Sequence, residues 1–182
     1  MQGPLARAAG AFDLDALLSM IGKVGPSRAT FDERKFLQQF DAPIDSSGEL
    51  LFQPPATLVM RTLRPKVESM RVDGQTLYLE RGRLQRTLQL AEHPEIAVFI
   101  EPIRAALAGD RAALERGYVT KLQGEAAQWK LQLTPRADAA GAAPIAVKSL
   151  LLSGRQGQVR QVEVRLADGD YSVMNIEPAA AQ

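Results

Sequence analysis

Apolar residues at Leu14, Leu17, Leu18 and Ile21 follow the i, i+3, i+4, i+7 spacing of one helix face. Asp13 is placed to cap the first amides and Gly22 or Gly25 to stop the turn, so the chain is expected to begin with a short amphipathic helix. From Ser27 the period shortens to two. Strands are predicted at about 28–40, 48–53, 57–63, 66–72 and 76–81, with Leu50 alternating with Phe52, Leu58 with Met60 and Leu77 with Leu79. Their links are short: Pro54 and Pro55, Arg64 and Pro65, then Asp73 and Gly74. Links of this length and chemistry make hairpins, so the neighbouring strands are expected to be antiparallel.

After a strand near 84–90 the helical period returns, with Ile96, Phe99, Ile100, Ile103 and Leu107 on one stripe and Pro94 suited to the first turn. Pro102 should kink or split this helix. Gly109 ends it, and Asp110 can cap a further short turn over Arg111–Arg116. Strands then resume at about 117–124, 127–134, 145–153, 158–167 and 170–176. Trp129, Leu131 and Leu133 share one face, as do Val162, Val164 and Leu166, and Gly124, Gly154 to Gly157, and Asp168-Gly169-Asp170 punctuate the run. The Ala- and Gly-rich stretch Ala137–Ala143 is expected to be a mobile loop rather than a linker, because the hairpin pattern continues beyond it.

About eleven strands in one sheet will twist and curl, which predicts a barrel or half-barrel. With two main helical pieces available, their apolar stripes should cover the open concave face. The fold class expected is therefore mainly β with helices (α+β), an unclosed antiparallel β-barrel with a helical lid. A chain of 182 residues suits a single domain over 1–182, with 1–11 and 178–182 as flexible ends.

Composition adds mostly exclusions. Lys plus Arg number 22 against 21 Asp plus Glu, and the basic residues are scattered along the chain, so no net field is available for a polyanion. Aromatics are 5% and do not interleave with basic residues, which also speaks against nucleic acid. With no Cys there is no disulfide, thiolate metal site or Cys nucleophile. No apolar run approaches the roughly 20 residues that span a bilayer, so a soluble protein is expected. Met1-Gln2-Gly3-Pro4 lacks a basic region followed by an apolar stretch, so the expectation from the terminus is either a cytoplasmic protein or one whose signal peptide has been removed.

Candidate chemistry is thin. The one histidine, His93, precedes Pro94 at a helix start and reads as structural. Asp32 with Glu33, or Asp168 with Asp170, could in principle pair for acid and base work or hold a hard cation. Asp168 and Asp170 flank a turn glycine, however, where Asp is favoured for its own backbone hydrogen bonds. Gly154-Arg155-Gln156-Gly157 lies between two strands, so it is a turn and not a phosphate loop. No catalytic group, metal or cofactor is expected.

The run Gly48 to Pro65, G-E-L-L-F-Q-P-P-A-T-L-V-M-R-T-L-R-P, resembles the LolA segment built as a glycine, an apolar strand, a proline turn, a second strand and a closing proline. Asp73-Gly74-Gln75-Thr76-Leu77-Tyr78 is similar to that family's D-G-x-x-L-W/Y hairpin, and Leu131 to Arg136 to its L-x-P turn. The resemblance extends from about 12 to 177. It implies a periplasmic chaperone of the outer-membrane lipoprotein carrier type, whose apolar cavity holds the acyl chains of a lipoprotein. An inner-membrane exporter would be the donor and an outer-membrane receptor of the LolB type the acceptor. The absence of Cys departs from LolB itself, which is anchored through a lipidated N-terminal Cys. Where classical members place an arginine that latches the lid, this chain has Pro54, the usual downstream aromatic is Leu58, and Arg61 is the candidate substitute latch. Such divergence suits a LolA-related branch serving another lipid or an exporter-linked pathway.

On this reading Leu50, Phe52, Leu58, Met60, Leu77, Trp129 and Leu131 are expected on the cavity wall, and Ile96, Phe99, Ile100 and Ile103 on the lid. Taken one at a time, each wall residue also suits an ordinary core. The rival is therefore a non-enzymatic interaction scaffold with a filled core, which would dock protein partners on its sheet edge or loops.

Overall fold

A computed structural model describes residues 11–136 and 147–179, so the predicted loop Ala137–Ala143 lies outside the described residues. Helix α1 spans Leu14–Val24; the Asp13 carboxylate accepts the Ala16 N–H at 2.8 Å, and Gly25 closes the helix. Six strands follow: β1 (Ser27–Phe36), β2 (Ile44–Gln53), β3 (Thr57–Arg64), β4 (Glu68–Asp73), β5 (Thr76–Arg81) and β6 (Leu84–Gln89). A 3₁₀ turn at Leu90–Glu92 leads into α2 (Pro94–Ala108) and α3 (Arg111–Gly117). The remaining strands are β7 (Tyr118–Glu125), β8 (Gln128–Pro135), β9 (Val147–Arg155), β10 (Gln158–Leu166) and β11 (Tyr171–Pro178).

All eleven strands join one antiparallel sheet in the order β6-β5-β4-β3-β2-β1-β11-β10-β9-β8-β7. Short hairpins build each flank, and the one long-range pairing, β1 with β11, joins the two flanks at the centre. Strands β6 and β7 are the free edges, so the sheet curls without closing. Several bounds differ from expectation. Strand β1 stops at Phe36 rather than near 40, and β2 starts at Ile44 rather than 48. The Gln38 N–H donates to the Asp170 carboxylate at 2.9 Å, which draws the chain out of the ladder toward the β10–β11 turn. Strand β11 continues to Pro178, which pairs with Ala29.

The helices form three pieces rather than two, and Pro102 lies inside α2 without splitting it. Proline has no N–H, so the Val98 carbonyl one turn earlier loses its helical donor. The Tyr118 hydroxyl, arriving from β7, donates to that carbonyl at 2.8 Å and satisfies it. Between α2 and α3, Gly109 adopts φ 70°, and a Cβ there would lie 2.6 Å from the Leu18 carbonyl oxygen. Glycine at this point therefore ends α2 and lets α1 cross it closely.

Apolar packing divides in two. The larger cluster gathers Leu14, Leu17, Leu18 and Ile21 of α1 with Trp129, Leu131 and Leu133 of β8 and Leu150 and Leu152 of β9. The smaller one joins Val72, Leu77, Leu90 and Ile100 near the β6 edge. Phe31, Phe52 and Leu58 are buried but belong to neither cluster. In the larger cluster Trp129 opposes Gly154, where a Cβ would fall 2.5 Å from the indole Cζ2 and 2.1 Å from the Gln158 carbonyl oxygen.

Gly154→Ala should lower stability by about 1–3 kcal/mol through forced repacking, read as a drop in the denaturation midpoint; an unchanged midpoint would show that Trp129 yields freely. Burial, followed by the nearby Glu101 charge, pushes the Tyr118 phenol from 10.0 up to about 12. The folded state thus holds this proton after the unfolded chain has released it. Its contribution is whole below pH 10 and is lost as pH rises toward about 12. Tyr118→Phe should flatten the decline of the unfolding midpoint across that window, at the cost of an overall loss of about 1 kcal/mol for the hydrogen bond.

Candidate functional site

Between the two clusters the concave face is not filled. Across the sheet centre Ala29 pairs with Leu50 on one side and Pro178 on the other, and Glu33 pairs with Ser46 and Met174. In turn Leu50 faces Met60, Phe52 faces Leu58, and Met174 faces Val162. These paired residues share the concave face because successive side chains alternate. All of them except Ser46 floor a pocket of about 1260 Å³, covered by Ile21 and Val24 of α1 and by Phe99, Ile103 and Leu107 of α2. That exceeds the roughly 300–1,000 Å³ of ordinary small-molecule pockets.

Its lining is chiefly apolar, with a polar group at one end. Glu33, Lys35, Asp170 and Ser172 lie there, and the Glu33 carboxylate sits 3.5 Å from the Lys35 ammonium. The Glu33 side chain keeps 12% of its exposure and that of Lys35 51%, so the carboxylate points into the pocket wall while the ammonium reaches water. Asp32, next along β1, faces the opposite side and is exposed, so Asp32 and Glu33 do not converge.

The predicted wall and lid residues separate into groups. Leu50, Phe52, Leu58, Met60, Phe99 and Ile103 come together around the pocket. Leu77, Ile96 and Ile100 pack instead in the cluster near β6. Trp129 and Leu131 have no exposed surface and lie in the larger cluster, where the indole N–H donates to the Gln156 carbonyl at 2.9 Å. Ile21, Val24, Ala29, Val162, Val164 and Met174 line the pocket although none was expected on its wall or lid. Val162 and Val164 carried the same alternation as the predicted wall. Their place beside the pocket depends on β1 pairing with β11, which no local pattern reveals.

Arg61 does not serve as a latch, because it pairs with Glu49 and Ser69 on the convex face and is exposed. The lid is held from the helix side by Arg104, the one buried charged residue among the described residues, at 6% exposure. Its guanidinium donates to the Ala56 carbonyl in the β2–β3 turn at 2.9 Å, to the Gly74 carbonyl in the β4–β5 turn, and to the Glu101 carboxylate at 2.8 Å. One side chain therefore ties α2 to two hairpins. The available signal was an arginine directly after Ile103 in a largely apolar helix, which must find acceptors if the helix is covered.

The remaining polar candidates are accounted for locally. The His93 ring lies 3.0 Å from the Glu95 carboxylate, and its backbone carbonyl accepts the first amides of α2. The Asp168 carboxylate accepts the Asp170 N–H at 2.9 Å inside the β10–β11 turn. Gly154 and Arg155 end β9, and Gln156 and Gly157 form the turn into β10. Among the described residues no group of three His, Cys, Asp or Glu side chains could hold a metal ion, and no helix is long and apolar enough to cross a membrane.

Residues 6–182 match the family described as outer membrane lipoprotein carrier protein LolA-like. The chain belongs to the LolA-like family. A search of curated proteins by sequence gives no match. Among solved structures, a DUF1329 family protein from Desulfovibrio piger superposes with a TM-score of 0.50 at 11% identity, covering 91% of this chain and 89% of that one. At that identity the likeness shows the fold. A LolA superfamily protein from Nitrosomonas europaea gives 0.46 at 10% identity over 93% of both chains. Lipoprotein LppX from Mycobacterium tuberculosis gives 0.42 at 12% identity over 89% of this chain and 93% of that one.

For this LolA-like chain, Arg104→Met should keep the helix and its bulk while stripping the donors from two turn carbonyls. Stability should fall by about 1–3 kcal/mol. Hydrogen exchange in α2 should accelerate more than in β7 to β9; equal acceleration everywhere would show that Arg104 does not fasten the lid in particular.

Proposed function

We propose that this LolA-like chain is a non-enzymatic periplasmic carrier, one domain long, that shields the acyl chains of lipoproteins or related lipids on their way toward the outer membrane. The observation that carries the reading is the unfilled apolar pocket between two well-packed clusters, floored by the central strands and roofed by α1 and α2. Moving acyl chains from water into such a space is worth about 0.8 kcal/mol per methylene, so no covalent step is needed to hold them. Release then requires a receiver that competes for the chains. An inner-membrane exporter as donor and a LolB-like receptor as acceptor fit that requirement. The pocket supports a carrier over a scaffold with a filled core, since a scaffold has no use for an apolar hollow that stays unpacked.

The wall residues proposed to touch the cargo are Leu50, Phe52, Leu58 and Met60, with Phe99 and Ile103 above them. Leu77, Trp129 and Leu131 act through packing. Native mass spectrometry with lipid extraction on protein isolated from a bacterial periplasm should show co-purifying acylated species. Protein that arrives clean and also fails to take up a fluorescent fatty acid would sink the carrier reading. Met60 is half-buried on the pocket floor, so Met60→Glu should preserve the circular dichroism of the fold. A charge in the apolar space should cost fatty-acid affinity about tenfold or more; full uptake by the variant would place the cargo elsewhere.

A further inference from the structure

The strand pairings bring the β1–β2 loop, the β3–β4 turn and the β5–β6 turn to one end of the sheet. Five of the seven large apolar residues that stand exposed among the described residues are here: Phe40, Ile44, Leu63, Val67 and Leu84. Val67 is 64% exposed and Leu84 59%. Leu84 pairs with Arg81, Arg81 with Glu68 and Glu68 with Thr62, so Leu63, Val67 and Leu84 lie at the ends of four adjacent strands, about 15 Å across at the usual strand spacing.

Charge is gathered in the same place. At the β3–β4 and β5–β6 turns, residues 63–68 and 81–84, there are four Lys and Arg against one Glu, although the whole chain carries only +1; Asp41 in the neighbouring β1–β2 loop and Asp45 at the start of β2 stand to one side of them. Glu68 pairs with Arg81 at 3.0 Å, but Arg64, Lys66 and Arg83 are exposed and form no ion pair among the described residues. None of these residues lines the pocket. Local packing explains neither the uncovered apolar tips nor the free cations alternating with them.

We propose that this end of the sheet docks on an anionic phospholipid surface, with Leu63, Val67 and Leu84 entering the headgroup layer and Arg64, Lys66 and Arg83 pairing with lipid phosphates. Apolar tips set among free cations suit a membrane interface, where apolar burial and attraction to anionic lipid act together. Nucleic acid would use the cations but not the tips. Lys35, Leu37 and Tyr171 line the pocket at the same end of the sheet, so a docked chain would bring that end of its pocket to the bilayer.

Co-sedimentation of the full chain with phosphatidylcholine vesicles, with and without phosphatidylglycerol, tests the proposal. Binding is expected only with phosphatidylglycerol and should weaken as salt is raised. The combined variant Arg64→Gln, Lys66→Gln, Arg83→Gln should bind roughly a hundredfold more weakly. Val67→Ser with Leu84→Ser should also weaken binding while leaving its salt dependence. Fatty-acid uptake by both variants should be unchanged, which keeps this test separate from that of the carrier reading. Absence of binding to anionic vesicles overturns the proposal and turns this end over to an acidic protein partner. Equal binding to both vesicle types, or undiminished binding by the triple variant, overturns it as well.

Discussion

The structure depends on a mismatch of area between one long sheet and the helices available to cover it. Eleven strands present an apolar concave face, while α1, α2 and α3 together supply about nine turns of helix to cover it. A helix buries one stripe, so these three can seal the flank over β7 to β9 and touch the flank over β4 to β6, but cannot fill the centre. Packing therefore condenses into two clusters and leaves the middle strands β1, β2, β3, β10 and β11 lining a hollow. The same strands hold the sheet together through the long-range pairing of β1 with β11. The pocket floor is thus the part of the sheet where its two flanks are joined.

How that roof is attached follows from the cost of unmet polar groups. Pro102 deprives the Val98 carbonyl of its helical partner, and Tyr118 replaces it from β7. Arg104, two residues on from Pro102, brings several donors under the helix and finds turn carbonyls on the opposite flank. α2 is therefore held at one side by a phenol and at the other by a guanidinium, above a space where side chains provide little cohesion. These directional bonds add to the packing of α2, whose Ile100, Ala105 and Ala106 are buried in the two clusters on either side.

The polar group at one end of the pocket and the basic, apolar-tipped end of the sheet are both products of alternation along strands. Glu33 and Lys35 share the concave face because they are two residues apart, and Asp32 and Arg34 are turned outward for the same reason. Charges that look scattered in linear order are sorted by the pleat onto opposite faces and by the hairpins onto opposite ends. A chain close to neutral overall can in this way carry a basic corner, at the β3–β4 and β5–β6 turns.

Much of this was legible in the chain itself. The eleven strands, their antiparallel hairpins, the caps of α1 and α3 and the unclosed form followed from period-two alternation, turn residues and the known curl of a long sheet, all local or general properties. The resemblance at Gly48–Pro65 and Asp73–Tyr78 pointed to the right family, and the two segments fold as the β2–β3 and β4–β5 hairpins. Which apolar residues border the hollow was not legible. Leu58 and Trp129 read alike as large side chains on the inner face of a strand, yet Leu58 meets open space and Trp129 meets Gly154 and the larger cluster. Alternation determines the face on which a side chain lies; what stands opposite it is decided by the β1–β11 pairing and by where three helices come to rest. Arg104 belongs to the same class, because a lone arginine in an apolar helix signals a need for acceptors, and only the tertiary fold brings the Ala56 and Gly74 carbonyls within its reach.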